Sequence, residues 1–395
     1  MKLKFFFLEV TEPGFGFRKR RFVTYERWGA CITHQSNNKK LLRRAKMKKD
    51  IIKKILYYFP IGFAAFILSL FICYPVGAQE VIVLNAANFA PAKTFPGVQL
   101  ERYKKEIEKR TNGKIKVQAY HGGTLLGAKN MIEGVISGAA DIGTFPPGYL
   151  TGRYPLLELF NTQVGWPSST VATATLYDLF KKFDLESKSI KKLKVLAVFT
   201  GTPAHILSSI PIRNRSDLKT AELRATVTWV QALELLGGRP IGMPMPEVPE
   251  AIKKGVVKGL VSSLDTLMDF NFAEYTRFVT KCYLPVAPWV VFMNQDKWDS
   301  LPSEARKVFE DLEKDHSLWT AKYIDKHEKE SVNWAKTKYN VEIINLSSDE
   351  LSNWHSLLKP LKNPYMDLNI NGIKGRTFWN ELLKMQAKNI KVYAK

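Results

Sequence analysis

The chain runs to 395 residues, 45% of them hydrophobic and 24% charged, which excludes a disordered or fibrous protein and allows more than one buried core. Its formal charge of +22 would suit a nucleic-acid partner, yet residues 1–46 hold net +9 of it, residues 47–78 net +3, and the last +10 is diluted by runs of both signs. Runs such as Lys104-Lys105-Glu106-Ile107-Glu108-Lys109 read as solvated helix faces, and no basic patch interleaved with aromatics is present, so no nucleic-acid binding is expected.

In chain order, residues 1–46 show no apolar periodicity and are expected to be a non-native or disordered basic extension, with Met47 as the true start. Residues 47–78 have the three-part grammar of a secretory signal peptide. Lys48, Lys49, Lys53 and Lys54 precede a 14-residue apolar stretch, Ile61 to Tyr74, which is short for a bilayer span, and small residues follow at Val76 and Ala78. Cleavage after Ala78 and delivery to the periplasm are expected. Cys31 and Cys73 fall in these segments, which leaves Cys282 alone in an apolar setting, a small buried hydrophobe without an internal disulfide.

From Val81 onward short apolar runs alternate with helical patterns, the signature of α/β layering with a largely parallel sheet. A strand at 81–84 is followed by a helix over 98–111 that stops at Asn112-Gly113, a strand over 114–120, a helix over 129–137 and a strand over 141–145. A second set of the same kind begins near Leu193 and contains strands at 222–225 and 259–262 with helices at 229–236 and 247–254. A further strand covers 289–293. The pattern from Ser303 to Tyr339 has neither proline nor glycine, and a helix of that length would extend about 55 Å, enough to bridge two lobes. A strand-like run at 341–346 and helices near 348–358 and 376–391 complete the chain.

Catalytic motifs are missing: there is no Gly-x-Ser-x-Gly elbow, His-Glu-x-x-His helix, phosphate-binding loop or Cys-x-x-Cys pair. His121-Gly122-Gly123-Thr124 reads as a turn, and His327-Glu328 as part of a solvated helix face. Asp265 and Asp269 could share a helix face, but Asp265 is read as the cap of the helix that follows it. The histidines show no metal-ligand spacing. Neither an enzyme, nor a metal, nor a cofactor is expected.

Several stretches occur in the order and spacing of one known family. They are Thr111-Asn112-Gly113-Lys114-Ile115-Lys116-Val117, Gly138-Ala139-Ala140-Asp141-Ile142, Ser216 to Arg224, Leu236-Gly237-Gly238-Arg239-Pro240 and Glu247 to Gly259. Over Gln79 to about Leu346 the chain resembles the DctP-type solute-binding proteins of tripartite ATP-independent periplasmic (TRAP) transporters. The resemblance implies a two-lobed periplasmic-binding-protein fold braced by the long helix, with residues 79–202 plus 285–327 as lobe I and 203–284 plus 328–395 as lobe II. It implies a small organic carboxylate as ligand, the small and large integral-membrane subunits as partners, and the Arg at the position of Arg224 as the carboxylate's anchor. The physics supports such a choice, because a guanidinium stays charged and offers two parallel donors. Phe89, Phe145, Tyr149, Trp229 and Trp289 are candidates to wall the cleft, and all but Phe145 enter the expected ligand set.

Ser262 stands where an Asn is usual, and Pro203, Ala204 or His205 where some members hold a second Arg; Ser262 and His205 complete the expected ligand set. Pro249 and Lys258 also depart from the pattern. These changes argue against a sugar acid or a second carboxylate being bound as in those members. A monomer is expected. The alternatives are an exported two-lobed enzyme acting on a carboxylate and a membrane-anchored sensory receptor.

Overall fold

In the computed structural model the chain divides between Ala78 and Gln79 into two units. The structure describes residues 81–150, 152–186, 190 and 192–394, apart from the side chains of 227 and 228, together with Met47, Lys49 and Lys53 of the first unit. The expected basic extension, apolar export signal and cleavage point lie outside the described residues. Among the described residues no helix is long and apolar enough to cross a membrane.

The second unit is built on two mixed sheets. The first contains β1 (Ile82–Ala87), β2 (Ile115–Tyr120), β3 (Ile142–Phe145), β4 (Leu193–Thr200) and β10 (Pro288–Asn294), in the order β2-β1-β3-β10-β4. Its first three strands pair in parallel through crossover helices, Ile82 facing Ile115 and Ala86 facing Ile142. The helix Phe95–Arg110 buries Leu100, Tyr103 and Ile107 at helical spacing, and Asn112 and Gly113 take left-handed backbone beyond its end, as the Asn-Gly pair predicts.

The second sheet contains β5 (Ala204–Ser208), β6 (Glu222–Ala225), β7 (Arg239–Gly242), β8 (Gly259–Ser262), β9 (Phe278–Leu284) and β11 (Glu342–Asn345), in the order β11-β9-β5-β8-β6-β7. The sheets are less parallel than expected. β10 runs antiparallel to β3 and β4, and β5 antiparallel to β8 and β9. The cause is topological: β4 leads straight into β5, and β9 into β10, so each of these strands enters its sheet from the other one. The two crossings touch where the Gly201 N–H donates to the Ala287 carbonyl at 3.0 Å.

The helix Ser303–Tyr339 forms as predicted and spans both sheets. Near its start Phe309 packs on Tyr103, and the Ser317 hydroxyl accepts from Val198 N–H of β4 at 3.1 Å. Farther along, the Ser331 hydroxyl donates to the carbonyls of Leu264 and Asp265, which follow β8. The helix stops at Asn340, which has a positive φ, and Val341 leads into β11 beside β9.

The C-terminal helix Gly375–Tyr393, assigned above to the second lobe, packs instead on the first. Phe378, Trp379 and Leu382 enter the first sheet's core, and Asn389 donates to Thr175 Oγ1 at 3.2 Å on the helix Ser169–Phe183. An amphipathic terminal helix goes where an apolar face awaits it, and the helix Ser169–Phe183 supplies one.

Candidate functional site

A largely apolar cavity lies between the two sheets, with the crossing segments Gly201-Thr202 and Ala287-Pro288 in its wall. Phe89 and Tyr149 follow β1 and β3, Trp289 sits on β10, Arg224 and Ser262 sit on β6 and β8 of the second sheet, and Trp229 is on the helix Val227–Leu235 that follows β6. Six of the seven site residues named from sequence therefore line one cavity. Trp289 stacks between Phe89 and Phe199, with ring centroids 5.9 and 6.2 Å away, and meets Phe95 edge-on at 5.1 Å. The Trp229 indole N–H donates to the Pro285 carbonyl at 3.1 Å, which fixes that ring against a crossing segment.

Arg224 is 0% exposed. Its place on β6 is set by parallel pairing with β7 and β8, where it faces Ile241 and Leu260. Nε donates to the Met243 carbonyl at 2.9 Å, which orients the plane of the guanidinium. Among the described residues neither Nη1 nor Nη2 has a hydrogen-bond partner. The carboxylates that could have neutralised it are engaged elsewhere: Glu222 pairs with Arg239 at 2.8 Å and Glu247 with Lys129 at 2.9 Å. Burial pulls the guanidinium's pKa down; the Tyr149 hydroxyl, near it but outside normal bonding geometry, and the charge of Glu247 pull it back up. A buried fork with two idle N–H faces in a cavity wall can take a planar anion in bidentate fashion.

His205 is the exception among the predicted site residues. It lies on β5 where the pairing with β9 slips, and its Nδ1 accepts from the backbone N–H groups of Cys282 and Tyr283 at 3.2 and 3.3 Å. Burial and the nearby Lys281 push its pKa down to about 3. It is a neutral plug that satisfies a strand irregularity and is absent from the cavity lining. Phe145 packs behind Tyr149, edge to face at 5.7 Å. Cys282 is buried as expected, and desolvation pushes its thiol up to about 12.

Sequence reasoning missed a second polar cluster in the cavity wall. Asp265 caps nothing: the helix after it, Thr266–Asp269, is a single turn and receives no side-chain cap bond. Both aspartates line the cavity. The Asp269 carboxylate accepts from Phe95 N–H at 3.1 Å and pairs with His327 Nε2 at 2.7 Å, while among the described residues both Asp265 oxygens lack a partner in normal bonding geometry, the Ser263 hydroxyl being near them but outside it. His327 and Glu328 do not form a solvated face. His327 is buried against Asp269, whose hydrogen bond raises its pKa, and Glu328 accepts from the Thr202 hydroxyl. Asn161, at the end of the helix Pro155–Phe160, adds an unpartnered Oδ1 to the lining. The four-residue spacing of the aspartates was the available signal for this cluster; Asn161 gave none.

Two α/β sheets joined by crossing strands, with a buried guanidinium facing the cavity between them, define a two-lobed solute-binding protein. The chain belongs to the DctP family, the bacterial extracellular solute-binding proteins of family 7, whose model matches residues 86–367. It is 42% identical to a TRAP periplasmic solute-binding protein from Desulfovibrio salexigens, with a TM-score of 0.68 over 78% of this chain and 96% of that one. That crystal structure is an open complex with the C-terminus of a symmetry mate in its ligand-binding site. A marine-metagenome TRAP protein specific for aromatic acids, co-crystallised with 3-hydroxybenzoate, is 25% identical, with a TM-score of 0.72 over 78% and 99% of the chains. The C4-dicarboxylate-binding protein DctB of Bacillus subtilis is 23% identical over 78% of this chain and 88% of its own length.

Proposed function

We propose that the protein is the exported receptor of a TRAP transporter and holds one small organic acid by its carboxylate on Arg224, between lobes that close over it. The carrying observation is the pair of buried guanidinium nitrogens that no described residue satisfies. Leaving such donors desolvated is costly, and a carboxylate removes the cost. The aromatic lining supports an acid with an apolar body, in keeping with the relative that takes aromatic acids, and a chain terminus in the site of the Desulfovibrio protein also ends in a carboxylate.

Lobe I on this proposal comprises residues 79–202, 285–327 and the C-terminal 363–395, an extension supported by the packing of the last helix. Lobe II comprises 203–284 and 328–362. The bound acid contacts both lobes only when they are closed, so its differential affinity drives closure, and the closed form docks on the small and large membrane subunits in the periplasm. The solute is released unchanged, and no cofactor takes part.

The test is a thermal-shift panel of aliphatic and aromatic mono- and dicarboxylates, followed by small-angle scattering with the best binder. At least one acid should raise the melting temperature, compact the protein and be recovered chemically intact. Conversion of the acid would favour the enzyme alternative, and a panel without a single stabilising acid would overturn the proposal.

A further inference from the structure

A second buried charge in the cavity wall narrows the solute further. Asp265 is 1% exposed and follows β8 directly. Its backbone is held firmly, its carbonyl accepting from Asp269 N–H at 3.0 Å and from the Ser331 hydroxyl at 3.1 Å. Its carboxylate is held more loosely: the Ser263 hydroxyl lies near it but outside normal bonding geometry, and among the described residues neither oxygen has a hydrogen-bond partner within that geometry, whereas both oxygens of Asp269 do. A buried carboxylate with idle acceptors is as costly as a buried guanidinium with idle donors, and the cavity wall contains one of each.

The geometry assigns Asp265 as a second solute-recognising group: the ligand is an amino carboxylate, with its carboxylate on Arg224 and its ammonium group on Asp265. This rests on the carboxylate role of Arg224 proposed above. Charge decides against a dicarboxylate. The groups facing Asp265 are Ser263 and Asp269 on its own segment, the latter paired with His327, and Glu328 on the long helix with Tyr323 beside it, so once Asp265 is ionised a second anion would meet a carboxylate that no cation compensates. A cation would be drawn there, with Phe270 in the same wall to receive its flank. Burial first and Asp269 second push Asp265 up to about 7, and a bound ammonium would bring it back down.

The experiment is calorimetric titration of the full chain, freed of co-purified solute, near pH 8 so that Asp265 is ionised. Matched trios serve as probes: para-aminomethyl benzoate, para-methyl benzoate and terephthalate, and delta-aminovalerate, valerate and glutarate. Within a trio the amino acid should bind about tenfold or more tighter than its methyl or unsubstituted analogue, the gain of one charge-assisted contact. Asp265→Asn should erase that preference while leaving the simple acid bound as well or better. An unsubstituted acid that matches the amino acid, a preference that survives Asp265→Asn, or a dicarboxylate that binds tightest would each overturn the assignment. Should Asp265→Asn fail to fold, the wild-type ranking within each trio still decides. Failure of the underlying carboxylate role looks different: Arg224→Met then leaves every affinity in the trios unchanged.

Discussion

Replacing Arg224 with Met separates an anchor from a structural arginine, because the two predict opposite effects on the empty protein. Met keeps the length of the side chain and removes its charge and fork. Two charge-assisted bonds at roughly 1.5–3 kcal/mol each amount to about 3–6 kcal/mol of lost binding, or roughly a hundred-fold to ten-thousand-fold in Kd. The upper part of that range is expected, since the guanidinium is already desolvated at 0% exposure and the acid would meet an apolar wall in the variant. In the unliganded protein the variant loses the charge-assisted bond from Nε to the Met243 carbonyl, roughly 1.5–3 kcal/mol, but also removes a buried charge with two unpartnered nitrogens. The two terms offset, and the unliganded melting temperature should move by no more than about 2–4 °C. Calorimetric titration with the best acid and a melting curve without it provide both readouts. Retention of affinity within about threefold, or a drop in unliganded stability of several kcal/mol, would refute the anchor role.

Asp265→Asn also has a signed pH dependence. The folded carboxyl titrates near 7 against about 3.9 in an unfolded chain, so its contribution to stability is full below the unfolded value and is lost as pH rises through the folded one. The variant should therefore gain melting temperature over the parent as pH rises from about 5 to about 8. His327, raised by its bond to Asp269, and Glu328, pushed up to about 8, lose stability in the same direction, so only the difference between the two proteins is diagnostic; a flat gap would contradict the buried-charge account. Gly259→Ala tests the frame of the site: an added Cβ would meet the Leu207 carbonyl oxygen at 2.0 Å and Ser208 Cα at 2.7 Å, backbone atoms of β5 that cannot swing aside. A loss of about 1–3 kcal/mol or more is expected in thermal melts, and an unchanged melting temperature would mean that β5 and β8 are not packed this way.

The sequence was most informative where one physical signal dominated. The helix Ser303–Tyr339 and the strands at 222–225 and 259–262 fall within the ranges read from periodicity and breakers. The helix Ser169–Phe183 went unread because it is buried almost all round, from Ser169 to Leu176 without a break, so no polar face marks its period, and its Thr and Val residues suggest strand. β5 and β9 were hidden for a similar reason: they belong to crossings between sheets, and nothing local says which sheet a strand will join. In the cavity, Arg224 was legible through its motif, Trp229 through its place just after Arg224 at the start of a helix, and Trp289 through the Pro285–Trp289 run where the chain returns between the sheets. His205 was misplaced because occupying the position of another protein's ligand contact does not aim a side chain, and the irregularity of β9 claimed it. Asp265 was misread because a carboxylate before a helix usually caps it, and only coordinates show that this helix is one turn with no cap bond.

The distribution of unmet polarity ties these points together. Among the described residues seven buried side-chain polar atoms lack partners, and five of them, on Asn161, Arg224 and Asp265, belong to residues of the cavity lining. Elsewhere even awkward groups are satisfied: His316 bonds Gln99 and Arg102, and His205 fills a bulge. Among the described residues the direct polar links across the cavity between the loops of the two sheets are few by comparison. They are the Phe95 N–H to Asp269, the Met245 N–H to the Tyr149 hydroxyl at 3.3 Å, and the surface pair Lys129–Glu247, whose side chains are 80% and 51% exposed. The bond to the Asp269 carboxylate contributes roughly 1.5–3 kcal/mol, the neutral bond to Tyr149 about 1 kcal/mol and the exposed ion pair less, too little to offset a buried guanidinium and a buried carboxylate that face the cavity unpaired. On the proposed reading, closure without solute is held in check by the site itself, and a solute that satisfies both charges supplies the missing free energy where the lobes meet.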